Sequence, residues 1–208
     1  MSNVAPPVDR LVFFTDAIVA IAATLLVLPL VDKASEFYGG TTPPPPTWEF
    51  LSEISPSLVA FAISFAVIVR LWSVHHRLFA SVVALDPALV ALNMLWAFTI
   101  VFLPLPTEIT AISGNDDRTA VALYIGTMLT SCLVMLAIEV HLRRTPALVT
   151  SPPPLVPIVA VTLLFAAALV LGVLVAGYLP LLLLLFTGLL GRLLAGRETA
   201  TTTATDDG

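Results

Sequence analysis

The sequence predicts an all-α integral membrane protein with six transmembrane helices, and three observations predict it. Of 208 residues, 58% are hydrophobic and 11% charged, with a mean hydropathy of +1.01, a balance foreign to water-soluble domains. Apolar runs of roughly the ~20 residues that a helix needs to cross a hydrocarbon core recur along the chain. Between them stand short stretches of Pro, Gly, Asn and Asp, residues that stop helices and build turns.

The first element is a short cytoplasmic arm, 1–9, containing Pro6 and Pro7. The first span, 11–31, follows and carries Asp16 well inside it. An ionised carboxylate at that depth is costly unless it faces protein or water. The span lacks a basic leader and a small-residue cleavage site, so it is expected to be retained. At about 100° per residue, Phe14, Ile18, Ile21, Leu25 and Leu28 form one apolar ridge, with Thr24 beside it and Asp16 roughly opposite. Pro29 lacks an N–H and is expected to bend or end the helix early. The connector that follows, 32–53, holds Gly39-Gly40 and the prolines Pro43 to Pro46 and reads as an exposed, stiff spacer. Trp48 and Phe50 at its end read as interfacial anchors.

The second span, 56–79, starts with Pro56 in a first helical turn. Its later half, Arg70-Leu71-Trp72-Ser73-Val74-His75-His76-Arg77, is polar for a membrane helix. His75 and His76 point about 100° apart, which disfavours a shared metal ion. The third span, 87–107, opens at Asp86-Pro87, holds Asn93, a donor and acceptor suited to cross-linking helices, and is expected to break at Pro104 and Pro106. A turn at 113–117 leads into the fourth span, 118–142, with Glu139 and His141 near its end. Arg143-Arg144 and Pro152 to Pro154 form the next connector. The fifth and sixth spans, 155–176 and 179–194, are nearly featureless Leu/Val/Ala helices, and together the spans fill a channel unit of 10–197. The polar tail, 198–208, has a disordered composition. The lone Cys132 excludes an internal disulfide and reads as a small apolar helix residue.

With both termini cytoplasmic, Arg10, Arg70, Arg77, Arg143, Arg144, Arg192 and Arg197 gather at the inner side, leaving Lys33 and Arg118 outside. The outer loops are then acidic, a charge that suits cation entry and equally suits ordinary solvated loops. No G-x-S-x-G, H-E-x-x-H or phosphate-binding loop is present, and no basic-aromatic stripe suits nucleic acid. The reading is therefore not an enzyme.

Three stretches resemble one family. Arg10, then Phe14-Thr15-Asp16, then Ala20 to Leu28 resembles the R-x-x-x-F-S-D signature and following A-I-x-x-T-L-L-x-L of the transmembrane protein 175 family, lysosomal/endosomal potassium channels with bacterial single-repeat relatives. Thr15 stands where that pattern has Ser, and Pro29 where Glu or an aliphatic residue is usual. Trp72, His75-His76 and Phe79 resemble the family's second span; Asn93-Met94-Leu95 and the terminal L-P-x-P-T resemble its third.

The resemblance implies a homotetramer of six-span subunits in a cell (plasma) membrane, with the first helix lining the pore and no cofactor beyond permeant potassium. It implies a passive potassium channel that discriminates weakly against sodium. The match of Ile21 falls at the narrowest ring, with Leu25 and Leu28 along the same wall; such apolar rings close by dewetting. A T-V-G-Y-G filter is absent, so discrimination falls to side chains on the first helix, with Thr24 the candidate. Asp16 is expected to be an acceptor held by Arg10 or by donors such as Trp72, His75, His76 or Asn93, completing a network with Phe14 and Thr15. The alternative is a proton-coupled secondary transporter in which Asp16 and a membrane histidine cycle protons.

Overall fold

The computed structural model describes residues 7–40, 43–113, 117–151 and 154–175. The sixth span, the tail and most of the arm lie outside the described residues. The protein is all-helical: α1 (Pro7–Leu25), α2 (Leu28–Tyr38), α3 (Thr47–Glu53), α4 (Ser55–Phe79), α5 (Pro87–Phe102), α6 (Pro104–Ser113), α7 (Arg118–Arg144) and α8 (Leu155–Val175), with one 3-10 turn at Pro146–Leu148. Among the described residues, four helical segments are long and apolar enough to cross a membrane: Pro7–Tyr38, Ser55–Phe79, Pro87–Ser113 and Arg118–Arg144. A multi-pass membrane protein follows, since only helices with internally paired backbones or closed barrels survive in hydrocarbon. Helix α8 overlays the expected fifth span.

At Pro29, expected to bend or end the helix, and at Pro104, expected to break it, the helix is interrupted and resumes at once. Helix α1 ends at Leu25, a turn passes through Leu26 and Val27, and α2 restarts with Pro29 in its first turn. Leu30 and Val31 both donate backbone N–H groups to the Val27 carbonyl, at 3.1 and 3.2 Å. Proline cannot donate to the preceding turn, but its fixed φ suits the start of a new one. Much of the expected connector is therefore helix, while Gly39 and the end of the proline stretch before α3 are extended, with Pro46 at φ −64°, ψ 142°. Phe50 is not a lipid anchor: it is buried against Phe37 and Tyr38 of α2, at ring distances of 5.3 and 5.5 Å, whereas Trp48 stays exposed. The third span likewise continues past Pro104. Fully buried Leu103 holds the junction, and its carbonyl accepts from the Thr107 N–H at 3.2 Å, so α6 runs on to Ser113.

Other boundaries follow local chemistry. The Asp86 side chain accepts from the Leu89 N–H at 2.7 Å, capping α5, and Pro87 occupies its first turn. Asp117 caps α7 through the Thr119 and Ala120 N–H groups. Helix α7 is the hub, packing on α5, α6 and α8, while α1 packs on α5 and α4. At one end of the bundle the α4–α5 and α7–α8 connections clasp: Val83 donates to Leu148 O and Thr150 to Ser81 O, both at 2.8 Å.

Candidate functional site

Helix α1 is built from two faces. Val8, Thr15, Val19 and Ala22 are buried, and Leu26 in the following turn continues the row at heptad-like spacing. These positions centre about 130° around the helix from Ile21. The inner row is small, branched or hydroxylated, which lets α1 approach α4 and α5 closely. The large apolar residues turn outward: Ile21 is 59% exposed, Phe14 54% and Leu28 51%, with Leu25 and Thr24 also on the exposed side. In a soluble protein that ridge would form a core. Here, among the described residues, it is an exposed side of the helix.

The opposite side is tied down by polar contacts. Trp72 Nε1 donates to Asp16 Oδ1 at 2.8 Å, joining α4 to α1. Beside it runs a directed chain: His75 Nε2 to Asn93 Oδ1 (2.6 Å), Asn93 Nδ2 to Thr15 Oγ1 (2.8 Å), and Thr15 Oγ1 to Leu11 O (2.9 Å). Because Asn93 donates through its amide nitrogen, its oxygen accepts, which places a proton on His75 Nε2. The His75 ring lies between Trp96 and Phe79, with centroids at 4.1 and 4.3 Å and interplanar angles of 13° and 21°. His75, Asn93, Thr15 and Trp96 are all fully enclosed, and His75 Nδ1 has no hydrogen-bond partner.

The expected network thus divides. Asp16 takes Trp72; Thr15 takes Asn93 and, through it, His75. His76 is exposed and tilts against Trp72, with centroids 5.4 Å apart. Arg10 is exposed and makes no ion pair with Asp16, and Phe14 lies on the outer ridge rather than in the network. Thr24 Oγ1 donates to the Ile21 carbonyl at 2.8 Å. That bond spends the hydroxyl proton on the backbone and leaves the oxygen as an acceptor toward the open side. Among the described residues, no group of His, Cys, Asp and Glu has the arrangement of a metal site.

Sequence reasoning missed a second polar cluster at the opposite end of the bundle. Thr107 donates to Ser64 at 2.9 Å, and Ser64 meets the Tyr124 hydroxyl at 2.8 Å, joining α6, α4 and α7. Nearby, Lys33 donates to Ser57 at 2.6 Å and pairs with Glu108 at 3.2 Å. Lone hydroxyls inside apolar spans are the signal that pointed there, since buried polar groups need partners. At the other end His141 meets Asp86 at 2.8 Å, and the chain separation hides that pairing from any local pattern.

A family model described as "Endosomal/lysosomal potassium channel TMEM175" matches residues 10–104, from the first turn of α1 through α5. A protein of Streptomyces collinus described as a potassium channel is 34% identical over 139 residues, 65% of this chain and 65% of the relative. The chain thus spans just under two thirds of that relative's length. A Gallus gallus protein described as an endosomal/lysosomal proton channel, TMEM175, is 33% identical over 111 residues, 50% of this chain and 21% of the relative. Among solved structures, one titled as a lysosomal potassium-selective channel TMEM175 homolog from Chamaesiphon minutus superposes with a TM-score of 0.64 and 26% identity. That match covers 88% of this chain and 96% of the other.

Proposed function

Residues 10–104 of this chain belong to the TMEM175 family, and from that premise we propose that the protein is a potassium-conducting channel, a homotetramer with α1 of each subunit around the pore. The observation that carries the proposal is the division of α1. One face is locked to its own subunit by Asp16–Trp72 and Thr15–Asn93–His75, and the other presents Ile21, Leu25, Leu28 and Thr24, all exposed among the described residues. The names of the bacterial relatives support potassium as the permeant ion.

In this reading each subunit has six spans with both termini cytoplasmic, as the distribution of arginines favours. Ile21 forms the narrowest ring. A hydrated cation meets a surface without replacement ligands there, so the ring closes by dewetting and opens by widening. One helical turn on, four Thr24 oxygens face the axis as acceptors, their protons held by the Ile21 carbonyls. Such a ring offers partial replacement of hydration water and yields weak preference for potassium over sodium.

The anchor makes the pore helix rigid. The His75–Asn93 and Asn93–Thr15 bonds both use a buried donor and acceptor, and loss of one member leaves its partner unpaired in a low-dielectric interior. A second reading is a proton-coupled carrier, favoured by the enclosed His75–Asn93–Thr15 chain. Among the described residues, however, Asp16 accepts from Trp72 and bonds to no histidine.

Purified protein in liposomes separates the two readings. A channel passes potassium down its gradient at a rate insensitive to an imposed pH gradient, and single-channel steps appear in planar bilayers. Potassium movement that stops without a counter-flow of protons overturns the channel reading.

A further inference from the structure

Helix α4 carries two arginines that the network above does not use. Arg70 and Arg77 are both exposed. Seven residues apart, they project within about 20° of each other and about 10 Å apart along the axis. The buried side of α4, marked by Ser57, Ser64, Ile68, Leu71, His75 and Leu78, centres about 125° away from Arg70. Trp72, which faces Asp16 of α1, projects about 160° away. Arg70 therefore projects away from the side on which Asp16 lies, and neither arginine makes a salt bridge among the described residues.

The nearest charge on that face of α4 is the other arginine, of the same sign. Two guanidinium groups on one open face of a membrane-spanning helix, each repelling the other, lack their counter-charge. The rest of that face, through Val59, Ala62, Ala66 and Val69, is apolar and exposed, as suits acyl chains.

We propose that Arg70 and Arg77 bind the phosphate headgroup of an anionic phospholipid in the leaflet at the C-terminal end of α4, with the lipid's acyl chains along the apolar half of the same face. Charge complementarity selects this occupant. The guanidinium fork matches phosphate oxygens bidentately, long arginine stems reach from within the span toward the headgroup level, and a net negative headgroup removes the mutual repulsion. A zwitterionic lipid supplies the phosphate but brings a cation with it. The site stands apart from the ion pathway, so its test does not depend on conduction.

The experiment is thermal unfolding of the purified full chain in detergent, titrated separately with phosphatidylglycerol, phosphatidylcholine and inorganic phosphate, with native mass spectrometry counting bound lipid. Phosphatidylglycerol is expected to raise the melting temperature and to remain bound, and phosphatidylcholine to do neither. Each arginine near an anionic lipid contributes about fivefold in affinity, so Arg70→Ala with Arg77→Ala should weaken phosphatidylglycerol binding by roughly 25-fold. The paired lysine changes should retain part of it. Arg144→Ala, at an exposed arginine near the same end of the bundle, serves as the control and should cost less than either single change. Equal effects of the two lipids, equal losses in the Arg144 control, or full reproduction of the shift by inorganic phosphate alone would overturn the proposal. So would dissociation of the assembled protein in the double variant irrespective of lipid, which would place the arginines in a subunit contact.

Discussion

Helices α1 and α7 are both long, apolar and membrane-spanning, yet the fold uses them in opposite ways. In α7 more than half of the most apolar window is buried (56%), and residues such as Ile125, Met128, Cys132, Met135 and Ile138 are fully enclosed by α5, α6 and α8. In the segment containing α1 only 22% of the window is buried, and its largest apolar side chains face outward. The difference shows that hydrophobicity does not choose the inward face of a membrane helix, because lipid is as apolar as leucine. Packing area decides for α7, whereas α1 is oriented by Thr15, Asp16 and small residues that meet partners on α4 and α5.

The sharpest way to break that comparison is to place the same polar group on each helix. Ile125→Asn in α7 leaves an amide in an enclosed apolar site and loses its packing, a destabilisation of about 3 kcal/mol or more, read as poor folding or a strongly lowered melting temperature. Ile21→Asn in α1 is expected to preserve folding and assembly while wetting the narrow ring, raising basal potassium flux severalfold in liposomes. Unchanged flux from correctly assembled Ile21→Asn protein would remove α1 from the pore.

Next in size are the anchors. Asp16→Ala leaves Trp72 Nε1 without its acceptor, and Asn93→Ala strands both His75 and Thr15. Each is expected to cost about 1–3 kcal/mol, seen as a lower melting temperature and a smaller assembled fraction by size exclusion. Normal stability in both would show that area alone holds α1 in place.

A smaller and more selective contrast lies within α1. Thr15 and Thr24 both donate to a backbone carbonyl, but one is buried and the other exposed. Thr24→Val should shift the reversal potential under potassium/sodium bi-ionic conditions with little change in stability. Thr15→Val should lower stability, because Asn93 loses an acceptor, and leave the reversal potential nearly unmoved. The opposite pattern would exchange their roles.

The smallest effect is expected outside the spans, where Asp86 joins the start of α5 to the end of α7. The Leu89 N–H, and then His141, hold its carboxyl below the ordinary carboxylate value of 3.8. A depressed folded value means that the contribution is fully present above the unfolded value and is lost as pH falls through the folded one. Melting temperatures of wild type and Asp86→Asn, which keeps a capping side chain, should therefore differ at neutral pH and converge in acid. A difference that persists undiminished at low pH would assign the effect to packing rather than charge.

Local chemistry in the sequence determined where most spans begin, which helices are membrane-long and which polar residues sit too deep to be idle. Asp86-Pro87 and Asp117 cap their helices by contacts within a few residues, so those boundaries are readable without a fold. Tertiary structure alone decided whether Pro29 and Pro104 end a helix or bend it. A proline removes one donor in either case, and only the packing around it, such as buried Leu103 beside Pro104, determines whether a new helix follows at once. Tertiary structure also chose the partners: Asp16 with Trp72, Thr15 with Asn93, and Asp86 with His141 are separated by 56, 78 and 55 residues. A hydrogen bond over such separations depends on helix rotation and depth, which are set by all the packed faces together and by no local pattern.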